Sequence, residues 1–360
     1  YGKLGEKYFG PGEIKKLGID IDLNQVPYRQ DLDLDKLLLG CSVVDCIPSI
    51  DAPRFESVPE VDWLDDDDLI VALDVDGVQR AYPTKVLNWH EIVNDRINDT
   101  PVVISYCPLC GSAVAFKAPI INGQPATFGV SGRLYQTDLV LYDRTTKSLW
   151  SQIEKTVIAG PLTASPPVLE LLPLNLVLWG VWKKAFPDGQ VLARPTTADP
   201  LGGVAPRDSD PQKARLKSNY NQDPYGFYRT NDVDIRFPVD IKDRRLTNKT
   251  VVLGVETDAG SKAYPQALLQ QEQLINDVIG GVPVVMVYAA ASGLSYAFKR
   301  PDALPLSLND GTLEGGGQSW ALDGQPLTAK VPLTQLPSMP VFWFSWAIFH
   351  PQTKIYTASE

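Results

Sequence analysis

Apolar positions along this chain come in short bursts rather than in long helical stripes. Leu69–Val75 is a β-prone apolar run, Asp76-Gly77 is a hairpin turn signal, and Val78–Tyr82 reads as the returning strand. Pro83 then opens a helix over Thr84–Val93, because Val86, Leu87, His90 and Val93 fall on one face at helical spacing. Asn94-Asp95 ends that helix, Asn98–Pro101 is a turn, and Val102–Tyr106 is a strong strand. Gly111–Phe116 continues as a strand or short helix. Ala126–Val130, Asp138–Tyr142 and Ser148–Trp150 read as meander strands, with turns at Ser131-Gly132 and Asp143–Lys147. Trp179–Phe186 is a short helix that buries Trp179 and Trp182.

The same pattern returns further along. Leu69–Lys117 aligns with Val251–Lys299 at a constant offset of 182, without a gap and with 16 identities in 49 positions. Ala81-Tyr82-Pro83 recurs as Ala263-Tyr264-Pro265, and Asn94-Asp95 as Asn276-Asp277. Leu178–Trp182 aligns with Phe342–Trp346 at an offset of 164. The fold expected is α+β: a tandem duplication of a unit rich in antiparallel strands with short helices. The domain reading is an arm over 1–50, copy one over 51–204, a polar connector over 205–230 and copy two over 231–360.

Composition narrows the partners. Lys+Arg is 33 against Asp+Glu 43, a formal net charge of −10. That balance disfavours a nucleic-acid binder and docking on an anionic membrane. No apolar run reaches the roughly 18 residues that span a bilayer. The chain opens at Tyr1 without an initiator Met, which fits a processed, extracytoplasmic product. Two histidines in all make a histidine-rich centre or a Ser-His-Asp enzyme hard to build.

The duplication doubles as an internal control: residues kept in both copies serve the fold, and residues confined to one copy are candidates for function. At offset 182, Cys107 becomes Ala289, Cys110 becomes Ser292, His90 becomes Glu272 and Trp89 becomes Gln271, while Tyr106 returns as Tyr288. Any site therefore belongs to copy one. Cys107-Pro108-Leu109-Cys110 is a CxxC directly after a strand. Three chemistries fit it: a soft-metal site of Cys107, Cys110 and His90 for copper or zinc; a dithiol redox pair; or buried, structural cysteines. A fourth ligand would be Cys41, Cys46, a carboxylate or water. Cys41 and Cys46 are spaced to close a small disulfide loop, the leading reading for that pair. Arg133 and Asp138 are a candidate ion pair bordering a pocket, together with Trp89, Glu91 and Tyr106. His350 reads as packing or a helix C-terminal charge.

The segments CIPSIDAPRF, AYPTKVLNWHEIVND, ISYCPLCGSAVAF, FGVSGRLYQTDLVLYDR and LWSQ, with DPYGFY, RFPV and FWFSWAIFHP further on, resemble the bacterial and archaeal family called domain of unknown function 3179. The resemblance runs over residues 40–356. It implies an extracytoplasmic protein and places the family hallmarks on Trp89, His90, Glu91, Tyr106, Cys107 and Cys110. Cys41 and Cys46 are less typical of it. The leading expectation is metal carriage or electron transfer at Cys107, Cys110 and His90. The alternatives are a self-associating or partner-binding extracellular assembly protein with disulfide-bonded cysteines, and a thiol–disulfide oxidoreductase.

Overall fold

A computed structural model describes residues 27–41, 44–196, 219–239, 241–301 and 304–358. The first 26 residues of the expected arm, and residues 205–218 of the expected connector, lie outside the described residues. The chain is built mostly of antiparallel sheets with a few short helices.

The first half holds three main sheets. One runs in the order Leu174–Leu178, Leu69–Val75, Val78–Pro83, Gln190–Leu192, Phe55–Ser57. The second runs Leu171–Leu172, Ser112–Lys117, Thr100–Cys107, Ile92–Ile97. The third is the meander Phe128–Tyr135, Asp138–Asp143, Leu149–Ser151, Thr156–Ala159, with Leu37–Leu39 added at its edge. The described part of the arm is thus woven into this half, and Ile50 makes a further parallel bridge to Val93.

The second half uses the same strand orders. Ser338–Phe342, Val251–Thr257, Gly260–Pro265, Lys354–Ile355 repeats the first sheet without its last strand, and in both the third and fourth strands pair in parallel. Leu274–Ile279, Val282–Ala289, Leu294–Lys299, Thr334–Gln335 repeats the second. A smaller three-stranded sheet, Ser307–Asn309, Thr312–Gly315 and Gln318–Ala321, stands where the first half has its meander.

The residues kept in both halves have matching jobs. Tyr82 donates its hydroxyl to Asp95 at 2.6 Å, and Arg80 pairs with the same carboxylate. Tyr264 donates to Asp277 at 2.8 Å, and Lys262 pairs with it at 2.6 Å. Asn94 clamps Phe128 through two backbone hydrogen bonds of 2.8 Å, and Asn276 clamps Leu306 through two of the same length. Each asparagine satisfies a backbone donor and a backbone acceptor where the next sheet begins.

Local expectations hold where turn chemistry is explicit. Asp76 and Gly77 take φ 51° and 80°, as a two-residue hairpin turn requires. The helix near 84 is shorter than its periodicity suggests: it covers Thr84–His90, and Glu91 breaks it at φ 56°. Val93, Asn94 and Asp95 belong to the strand Ile92–Ile97. A β-branched apolar run satisfies either period over a few residues, so only the break at Glu91 separates the two. Ser131-Gly132 is a bulge inside the strand Phe128–Tyr135, not a turn. The helix Trp179–Ala185 buries Trp179 and Trp182 as expected.

The largest core cluster runs across both halves. It joins Cys107, Cys110, Phe128 and Trp150 to Phe342, Trp343 and Trp346, with Tyr228 between them.

Candidate metal centre

Cys107 is the last residue of the strand Thr100–Cys107 and pairs with Ser112 across a tight turn. Gly111 takes φ 58° in that turn, and a Cβ there would lie 2.8 Å from the Phe342 ring. The site admits only glycine at this position. Both cysteines are free and buried.

The hairpin between Phe128–Tyr135 and Asp138–Asp143 meets this turn. The ligand atoms of Cys107, Cys110 and Asp138 lie within 4.8 Å of one another, and all three residues are buried. The hairpin is closed by Gln136 at φ 52° and Thr137 at φ 76°. A β-branched residue in the left-handed region is strained. The equivalent hairpin of the second half is closed by Asp310 and Gly311 at φ 45° and 76°, which is the composition such a turn favours. Thr137 is fully buried, its Oγ1 has no hydrogen-bond partner, and its carbonyl accepts from the Cys107 thiol at 3.8 Å.

Asp138 is held by one oxygen. Its Oδ2 accepts from Ser151 Oγ at 3.2 Å and from the Ile153 N–H at 3.0 Å. Its Oδ1 is buried without a partner. Burial pushes the carboxyl up to about 8, even though the Ile153 and Ser151 hydrogen bonds pull it down. Burial, with Cys107 and Asp138 as neighbours, raises the Cys110 thiol well above its ordinary range. Gln152 braces the same corner: it donates to Ser105 Oγ at 3.0 Å and accepts from Ser112 Oγ at 2.5 Å.

Two covers close the site. The first is Tyr220–Thr230, within the stretch expected to be a connector. Tyr228 is fully buried and donates its hydroxyl to the Leu109 carbonyl at 2.8 Å, inside the cysteine turn. Asp223 accepts from Asn88 at 3.0 Å and pairs with Arg229, which reaches the Tyr106 hydroxyl. The second cover comes from the second half. The Phe342 N–H donates to the Cys110 carbonyl at 2.8 Å, and Ser345 lies beside the Cys110 sulfur.

His90 is not part of the cysteine–aspartate group. Its Nδ1 lies 2.8 Å from the Pro48 carbonyl and its Nε2 lies 2.7 Å from the Tyr220 hydroxyl. A carbonyl only accepts, so Nδ1 donates and a neutral ring takes the Tyr220 hydroxyl at Nε2. Strand alternation explains the separation. Tyr106 packs with Val86 and Leu87 on the helix side of its sheet, while Cys107 points to the opposite side, into the shared core.

The remaining candidates divide. Glu91 is buried beside Tyr106 in the chain pairing, and burial alone pushes its carboxyl up to about 8. Burial likewise raises the Tyr106 phenol to about 12. Trp89 is half-buried and its Nε1 has no partner. Arg133 and Asp138 do not form the expected ion pair. Arg133 is buried with one guanidinium nitrogen unpartnered, and desolvation lowers its pKa. Cys41 and Cys46 form a disulfide with Cα atoms 6.4 Å apart, so neither is a ligand. Its loop is anchored by Asp45, which accepts the Tyr142 hydroxyl. His350 stacks on Trp346 with ring centroids 3.6 Å apart and binds Glu256 at 2.6 Å, in keeping with packing at a helix end.

No residue pattern in the sequence singles out Ser151, Gln152, Tyr228, Asp223 or Ser345. The one signal that could have found Ser345 is its place in the repeat, where it replaces Val181 in an otherwise apolar helix. Among the described residues no helix is long and apolar enough to cross a membrane.

Residues 44–353 match the family model described as "Protein of unknown function (DUF3179)". No curated protein and no solved structure matches the chain.

Proposed function

The chain belongs to the DUF3179 family of proteins of unknown function, and from that premise we propose that it holds a single resident metal ion at Cys107, Cys110 and Asp138. The observation that carries this reading is Asp138, a buried carboxyl with one oxygen unpartnered, grouped within 4.8 Å of two free buried thiols. The charged neighbours acting on these groups are acids, Glu154 on Asp138 and Asp138 on Cys110. Unpartnered acids in a dry core are costly, and a cation reverses that cost.

Thiolates select soft or borderline ions, and the carboxylate in place of an imidazole favours zinc over copper. Burial of all three ligands argues for a retained ion rather than a transported one. Zinc would tie the structure together, whereas copper would add electron transfer. The shared strand orders and the offset of 182 support a tandem duplication, with copies over 51–204 and 231–360 and the site in copy one. The Cys41–Cys46 disulfide supports an oxidising, extracytoplasmic location.

A thiol–disulfide pair is the second reading, favoured by the closeness of two free sulfurs. It needs a readily formed thiolate, and the raised Cys110 pKa opposes that. Elemental analysis of protein purified without chelators separates the two. The metal reading expects one zinc or copper per chain and its loss in Cys107→Ser. Metal-free protein with Cys107 and Cys110 oxidised to a disulfide would rule out the metal reading, and ready exchange of that bond with a small thiol would mark it as a redox pair rather than a structural one.

A further inference from the structure

We propose that Ser345, contributed by the second half, is the fourth donor of the metal centre, so that ion binding and docking of the two halves are one equilibrium. This rests on the metal reading and adds the residue that would complete a tetrahedral set.

The geometry brings the two halves together at this point. The Phe342 N–H donates to the Cys110 carbonyl, and the Phe342 ring occupies the space where Gly111 lacks a side chain. Three residues on, Ser345 sits in the first turn of the helix Trp343–Phe349. Its side chain is fully buried, and the group its hydroxyl meets is the Cys110 sulfur, a weak acceptor. A buried hydroxyl with only a sulfur to bond to is costly where valine would pack without that cost.

The second half contains the mirror arrangement, and every donor in it has changed. Its turn carries Ala289 for Cys107 and Ser292 for Cys110, with Gly293 at the place of Gly111. Its hairpin carries Thr312 for Asp138, each being the first residue after a two-residue turn. Gly293 faces the strand-to-helix junction of the first half, where a Cβ would lie 3.4 Å from Val181. Val181 is the repeat partner of Ser345. Four positions that come together from three separate segments are donors at one junction, and the mirror junction holds none of those four residues. The hydroxyl therefore groups with the two thiols and the carboxylate, not with the surrounding core.

A cobalt(II) titration of the full metal-free chain, followed by its thiolate-to-cobalt absorption and its ligand-field bands, tests this. Ser345→Val installs the residue of the mirror junction, and Ser345→Ala fits any space that serine fills. Both should bind cobalt(II) at least about 10-fold more weakly, with shifted ligand-field bands. Ser345→Cys should raise the thiolate-to-cobalt band by about half, as two thiolates become three. Unchanged affinity and bands in Ser345→Ala and Ser345→Val, with no added charge-transfer intensity in Ser345→Cys, would overturn the assignment while leaving the three-ligand centre standing. A wild-type chain that takes up no cobalt(II) would overturn both.

Discussion

Glu91 and Gln273 close equivalent helices on the same backbone, at φ 56° and 60° with ψ −30° in each. In the first half the end of that helix is sealed: Asn88, His90 and Glu91 are buried. In the second half Gln270, Gln271 and Gln273 are exposed. The backbone break is therefore a property of the fold, and the burial is a property of the first half alone. The difference goes with Tyr220–Thr230, which covers the first helix end through Tyr220 and Asp223, whereas over the second the Tyr356 hydroxyl donates to Glu272 at 2.7 Å and the glutamines stay exposed. Burying polar groups costs stability unless something compensates. A fold that solves the same packing problem with solvated glutamines has no structural need for Asn-Trp-His-Glu. The same lesson applies at the hairpins, where Gln136-Thr137 is strained and Asp310-Gly311 is not.

The two halves should differ most at the cysteines. Cys107→Ser should abolish stoichiometric metal binding, whereas Ala289→Cys with Ser292→Cys should not create a second site of similar affinity. The mirror junction lacks Asp138 and Ser345, and structural zinc binding in small domains draws about 10–16 kcal/mol from a complete ligand set. A metal titration of both variants by calorimetry gives the answer, and tight binding in the second half would show that two thiols suffice.

Glu91→Gln copies the second half at the helix end and should change how stability responds to pH. The folded carboxyl sits at about 8, and the unfolded one near its ordinary value of 4.5. The folded state therefore binds the proton more tightly, and stability should fall as pH rises from about 4.5 to about 8. The substitution removes that slope, with a gain on the order of a few kcal/mol at pH 8. Urea unfolding at pH 5 and pH 8 reads it, and identical slopes for both proteins would contradict the assignment.

Thr137→Gly and Gly311→Thr exchange the two hairpin turns. The first should stabilise the metal-free protein by about 1–2 kcal/mol and the second should destabilise it by a similar amount. Tyr228→Phe is the mildest change. It leaves the Leu109 carbonyl without its hydroxyl donor and should cost about 1 kcal/mol. Thermal unfolding would rank the three, and a destabilised Thr137→Gly would mean that the turn is not strained.

Much of the fold is legible from local patterns, because its strands are bounded by explicit turn residues such as Asp76-Gly77 and its buried tryptophans recur. The helix end at Glu91 was not, since no glycine or proline marks it and Ile92-Val93 suits helix or strand. Cys107, Cys110 and Asp138 stood out as chemistry-bearing residues, but their grouping did not. Closeness along the chain points His90 at the sulfurs, but strand alternation sends Cys107 away from the helix that carries His90. Tyr228 and Ser345 reach the site from 118 and 235 residues beyond Cys110, where no local pattern signals a partner.

Everything proposed for this chain depends on an ion between Cys107, Cys110 and Asp138. Anomalous diffraction at the metal edge, on crystals of protein never exposed to chelators, tests it most directly. One peak is expected at that point, about 2.3 Å from each sulfur and about 2.0–2.2 Å from an Asp138 carboxylate oxygen. A map without that peak, showing a disulfide between Cys107 and Cys110, would contradict it.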